Sequence, residues 1–140
     1  MSLLNVFNIS GTAMSAQSVR LNVTASNMAN ADAISSSIDQ TYKARHPVFE
    51  TILDDFNFGD SGTTGGVRVA GVVESQVPAS QEYQPGNPLA DEEGYIYRPN
   101  VNIIEEMANM IAASRNYQTN VEMINSSKQM LTETLSIGRG

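Results

Sequence analysis

Apolar or small residues recur at alternating steps of three and four from Leu4 to Met28: Leu4, Phe7, Gly11, Met14, Ser18, Leu21, Ala25 and Met28. That spacing lines one side of an α-helix and predicts a long N-terminal helix. A stronger seam begins after Val101 and runs Ile103, Met107, Met110, Ser114, Tyr117, Val121, Ile124, Lys128, Leu131, Leu135, widened by Ile104 and Ile111. Sustained over about five heptads, it has the pattern of a coiled coil. Asn102, with Glu105 three positions on, predicts a capping box at its start. Gly138 and Gly140 mark its end.

The texture between the seams is different. Thr41 to Ile52 holds Tyr42, Val48, Phe49 and Ile52 around His46-Pro47 and reads as extended chain. The Gly/Thr-rich stretch near 57–66 reads as a mobile loop. Val67 to Glu74 is rich in β-branched residues and predicts a strand, with Gly71 a candidate bulge. Pro85-Gly86-Asn87-Pro88 and Asp91-Glu92-Glu93-Gly94 read as turns, the second leading into a short strand, Tyr95-Ile96-Tyr97. The pattern therefore predicts a mainly α protein with a small β insert. Terminal helical segments, 1–34 and 100–140, flank a β-rich middle of 35–99.

Composition sharpens the reading of the helices. The positions between the members of the first seam are mostly Ser, Thr, Asn, Gln and Ala, and Arg20 is the only charged residue before Asp32. These are mediocre helix formers, so the helix depends on packing. Solvated helices usually carry Glu and Lys in i,i+4 pairs. Small uncharged polar residues instead permit close approach on several sides. The N-terminal helix is thus expected to be surrounded by other helices, and the isolated termini to order only on assembly. The seams themselves do not distinguish pairing within one chain from pairing between chains.

Charge and chemistry remove other classes. The net charge is -7, with no basic stripe to neutralise phosphates, which argues against nucleic-acid binding. Without cysteine, thiolate nucleophiles, disulfides and Cys-ligated metals are excluded. No apolar run approaches the roughly 20 residues of a membrane span, and the N-terminus lacks the basic and apolar regions of a cleaved secretory signal. His46 is the only histidine and has no motif placing a nucleophile beside it. Asp91, Glu92 and Glu93 lack the alternating oxygen ligands of a calcium loop. Gly65-Gly66 and Gly86 lie in no phosphate-binding fingerprint. The seam methionines read as adaptable core filler. No catalytic, cofactor or metal site is expected.

The segment Ala16-Gln17-Ser18-Val19-Arg20-Leu21-Asn22-Val23-Thr24-Ala25-Ser26-Asn27-Met28-Ala29-Asn30-Ala31 resembles the N-terminal signature of bacterial flagellar rod and hook axial proteins, AQ-x-x-RLNV-x-ASN-[LM]-AN. Tyr42-Lys43 is similar to the family's GYK element, with Thr41 where Gly is usual. Asn100-Val101-Asn102, Glu105-Glu106-Met107, Ala113 to Gln118 and Asn120-Val121-Glu122 resemble the C-terminal signature, with Ile103 in place of the usual Pro. The short length, the opening Leu3-Leu4-Asn5-Val6-Phe7 and the run Tyr83 to Pro99 resemble the family's proximal-rod members. Leu53 to Thr64 is the least similar stretch.

The resemblance implies two terminal helices paired into the coiled-coil layer of a tubular polymer, with the middle as an outer β-containing domain. It implies a periplasm-crossing drive shaft that passes torque from the motor toward the hook. Its subunits would be made in the cytoplasm and exported unfolded through the flagellar type III apparatus. The implied neighbours are further copies, other proximal- and distal-rod proteins, and the base adaptor. The expected assembly surface comprises Leu4, Phe7, Met14, Leu21 and Met28 with Met107, Met110, Tyr117, Val121, Ile124, Leu131 and Leu135. Asn27 and Asn30 either fix register in the assembly or end the first helix. Arg20 and Arg115 either reach a carboxylate of another subunit or sit at a solvated edge. A soluble coiled-coil adaptor or secretion chaperone shares these helices but would carry more charge on the first.

Overall fold

A computed structural model describes residues 3–53 and 65–138. Two helices, α1 (Leu3–Ala29) and α2 (Ile103–Ile137), enclose four strands in sequence: β1 (Arg45–Leu53), β2 (Gly65–Glu74), β3 (Ser80–Tyr83) and β4 (Tyr95–Arg98). A 3-10 turn, Ile38–Gln40, precedes β1, with Ser37 accepting from the Asp39 amide as its cap. The mainly α architecture with a small β middle is the one the pattern predicts. The loop expected near 57–66 lies largely outside the described residues, as does Gly140.

The strands form two separate antiparallel pairs. In the first, Arg45 faces Glu74 and Leu53 faces Gly65. The register steps between Val48 and Phe49, whose partners are Gly71 and Val69. Ala70 is therefore the extra residue, a bulge beside the glycine where the sequence suggests one. The second pair sets Ser80 against Arg98 and Tyr83 against Tyr95, and Ser35 extends it by a bridge to Tyr97. Strand β3 has no period-two alternation and all four of its residues are exposed. It exists because β4 supplies its backbone partners.

Helix α1 is the scaffold, packing against α2 and against both strands of the first hairpin. Thr12 Oγ1 donates to Ile9 O (2.8 Å) and accepts from the Val67 amide (3.3 Å), which ties β2 to the helix. Gly66 sits where a Cβ would lie 3.2 Å from that hydroxyl, so the strand approaches closely. At α2, Asn102 Oδ1 accepts from the amides of Ile104 and Glu105. The expected box is seen through its Asn102 half, which satisfies two of the first turn's free donors.

The surfaces that bury one helix against the other are small and polar. Ser10, Ala16, Thr24 and Asn27 are buried on α1, and Glu106, Ala113 and Ser127 on α2. Buried apolar residues are mostly alanine (Ala16, Ala31, Ala44, Ala113), with Ile96 the largest. Small side chains let the helix axes come close. They also leave the larger apolar residues at the margins of the contact.

Candidate functional site

The expected seam of α1 is turned relative to its buried face. Every second member, Phe7, Met14, Leu21 and Met28, is half-buried along the edge of the α2 contact. The alternate members, Leu4, Gly11, Ser18 and Ala25, are exposed. With Asn8, Ser15, Asn22 and Ala29 they form an open face without a single charge. On α2, Met110, Tyr117, Val121 and Ile124 flank the contact half-buried, while Met107, Arg115, Leu131 and Leu135 are exposed. Ile104 is 80% exposed and, with Met107 and Ile111, makes an apolar patch on the first turns of α2, away from α1.

At the C-terminal end of α1 the sequence builds a polar junction. Asn27 is fully buried, and its amide uses both donors and both acceptor positions. Nδ2 donates to Arg45 O (2.8 Å) and to Glu106 Oε1 (3.0 Å). Oδ1 accepts from the Arg45 amide (3.0 Å) and from the Tyr42 hydroxyl (2.9 Å). One side chain thereby joins α1, the start of β1 and the first turn of α2. Asn30 behaves differently: its Nδ2 donates to Ser26 O at 2.8 Å, a local bond that closes the helix end. Asn30 thus bonds locally at the end of α1, whereas Asn27 bonds across elements.

Arg20 donates from Nη2 to Asn109 Oδ1 at 2.8 Å, so part of its guanidinium is engaged across the helix pair of its own chain. Arg45 bonds Glu74 Oε1 at 3.1 Å and lies over the Tyr42 ring. His46 lines an open pocket of about 290 Å³ with Arg20, Thr24, Phe49, Glu106 and Asn109. It meets one carboxylate there, and that one is already bonded to Asn27. Among the described residues lining that pocket, none orients His46 for base catalysis.

Two features were not anticipated from the sequence. Glu106 is only 4% exposed, although it sits in a helix first turn where acids are usually solvated. The signal was its place in the seven-residue series Glu106, Ala113, Asn120, Ser127, whose members line the inner side of α2. Asp91 is the other. Its Oδ1 accepts from the Glu93 and Tyr95 amides and its Oδ2 from the Tyr97 hydroxyl at 3.0 Å. These bonds, the Tyr95 amide foremost, hold its carboxyl below the ordinary value of 3.8.

The open face of α1 carries no charge, α2 exposes an apolar patch on its first turns, and the junction between them is a polar cluster satisfied within the chain. Two family models match the chain: flagella basal body rod protein over residues 7–33, and flagellar basal body rod FlgEFG protein C-terminal over residues 92–137. These cover α1 and α2 almost entirely. The flagellar basal-body rod protein FlgC of Escherichia coli is 50% identical over 139 residues, spanning 99% of this chain and 100% of the relative. FlgC of Salmonella typhimurium is 48% identical with the same coverage, and that of Buchnera aphidicola from Acyrthosiphon pisum is 42% identical over 98% of each chain. The chain belongs to the FlgC family of flagellar basal-body rod proteins.

Proposed function

We infer that this chain is a structural subunit of the flagellar basal-body rod and acts by assembly, without catalysis or a cofactor. The observation that carries this reading is full-length similarity to rod proteins, in a chain whose two helices keep charge-free or apolar faces outward. Burying such faces against neighbouring helices is favourable by roughly 25 cal/mol per Å² of apolar surface. The partners are further copies and other rod proteins, proximal and distal, with the base adaptor at one end. The helix pair forms the coiled-coil layer of the tube, and residues 35–99 its outer domain. The rod so formed crosses the periplasm and transmits torque for motility.

Subunits reach the rod through the flagellar type III apparatus, exported unfolded, and fold on assembly. No helix among the described residues is long and apolar enough to cross a membrane. The assembly surface comprises the α1 residues Leu4, Phe7, Met14, Leu21 and Met28, and the α2 residues Met107, Met110, Arg115, Tyr117, Val121, Ile124, Leu131 and Leu135. Arg20 contributes its remaining donors, and Asn27 and Asn30 shape the end of α1.

The test is Leu21→Asp, which charges the rim of the helix pair. Export of the variant should continue while rods, and with them swimming, are lost. Swimming at the wild-type rate, with the variant present in basal bodies, would refute the assignment of this surface.

A further inference from the structure

The apolar margins of the helix pair repeat every seven residues on both sides. On α1 they are Phe7, Met14, Leu21 and Met28; on α2 they are Met110, Tyr117 and Ile124, with the exposed Leu131 continuing the series. A slip of one helix past the other by seven residues would therefore set similar side chains against each other again. Apart from Asn27 and Glu106, the buried centre adds little discrimination, because it is built from Ser, Ala and Thr. Hydrophobic packing alone leaves the alignment of α1 on α2 nearly degenerate.

We propose that Asn27 is the register lock of the helix pair, and that it makes docking of the first hairpin conditional on the correct alignment. Only the observed alignment brings Glu106 opposite its amide, at 3.0 Å. Slipped by seven residues, Asn27 faces either Ala113 or chain that precedes the start of α2. A fully buried amide is then left without its acceptor, and a nearly buried carboxylate without its donor. The same side chain clamps the amide and carbonyl of Arg45 at the first residue of β1. Hairpin and helix register are thereby coupled through one buried group, while the Arg20–Asn109 bond at 2.8 Å is a part-buried second contact that the same alignment makes. The lock is internal to a single chain and does not depend on which polymer that chain enters.

The test uses the absence of cysteine, which allows two nitroxide labels to be placed without background. Ser18→Cys and Asn125→Cys are both exposed and lie on different helices. Their axial offset changes by about 10 Å when one helix slips seven residues. Pulsed dipolar spectroscopy of the doubly labelled chain should give one dominant distance. Asn27→Ala should add a second peak displaced by several ångströms, with the Arg45 amide losing hydrogen-exchange protection in the slipped fraction.

Glu106→Leu, which removes the acceptor while keeping a helix former of similar size, should do the same. Glu106→Gln, which retains a carbonyl acceptor, should keep a single peak. If the isolated chain is not helical, the distances are read in basal bodies, spin-diluted with unlabelled wild type. A single unshifted peak in both Asn27→Ala and Glu106→Leu overturns the lock. So does a featureless spread in both, which would mean lost pairing rather than lost register. Absence of the labelled wild-type chain from basal bodies would count against the rod reading alone.

Discussion

Asp91 shows how a residue that reads as solvent-facing becomes an organiser. In sequence it opens an acidic turn, Asp91-Glu92-Glu93-Gly94, and nothing there reveals that its carboxylate gathers two amides and the Tyr97 hydroxyl. That depends on how the turn runs into β4, since all three donors lie within six residues of Asp91. Because folding lowers its pKa, the stabilisation is complete above the ordinary value of 3.8 and is lost as pH falls through the lower folded value. The Tyr95 amide resonance should hold steady from neutral pH down to that region and shift only below it. In Asp91→Asn that acid transition should vanish. Gly94 closes the same turn with φ 85°, and a Cβ there would lie 3.0 Å from Tyr83 Cε2. Gly94→Ala should lower unfolding free energy by about 1–2 kcal/mol from the backbone conformation alone, read as a reduced urea midpoint at unchanged m-value.

At the scale of elements, both helices were legible almost to their ends, α1 from its period and α2 from period and caps together. The direction of their inner faces was not. Apolar periodicity points to Leu4, Phe7, Gly11 and Met14, yet the α2 contact is centred on Ser10, Thr24 and Asn27. Small residues win that position because they bring backbones close, and a hydropathy pattern assigns them no weight. Strand β2 and its bulge were visible in β-branched residues, whereas Ser80–Tyr83 carried no such signal. The Thr12–Gly66 contact was also invisible, since it joins residues far apart in sequence. Gly66→Val should push β2 from α1 and cost about 1–3 kcal/mol as overpacking. Loss of exchange protection at the Val67 amide, which bonds Thr12, would locate the damage.

For the whole molecule, assembly as proposed requires the inner and outer faces of the helix pair to have separable roles. Ala113 is completely buried between the helices, while Leu21 sits at the rim. Ala113→Asp places an uncompensated charge in the contact and should abolish both helicity by circular dichroism and motility. Leu21→Asp should spare the helicity that the wild type shows under the same conditions. Equal helicity loss in the two variants would mean that both faces serve the fold of the single chain.

The helices are also unequal in reach. Measured from the Asn27–Glu106 contact, α2 runs about 10 Å further than α1 at 1.5 Å per residue. Among the described residues this projection carries Leu135 and Ile137, both largely uncovered. The body is therefore a lopsided peg, doubled at one extremity and single at the other. Any column stacked from such pegs has a distinct top and bottom, and its growing tip differs in shape from its base.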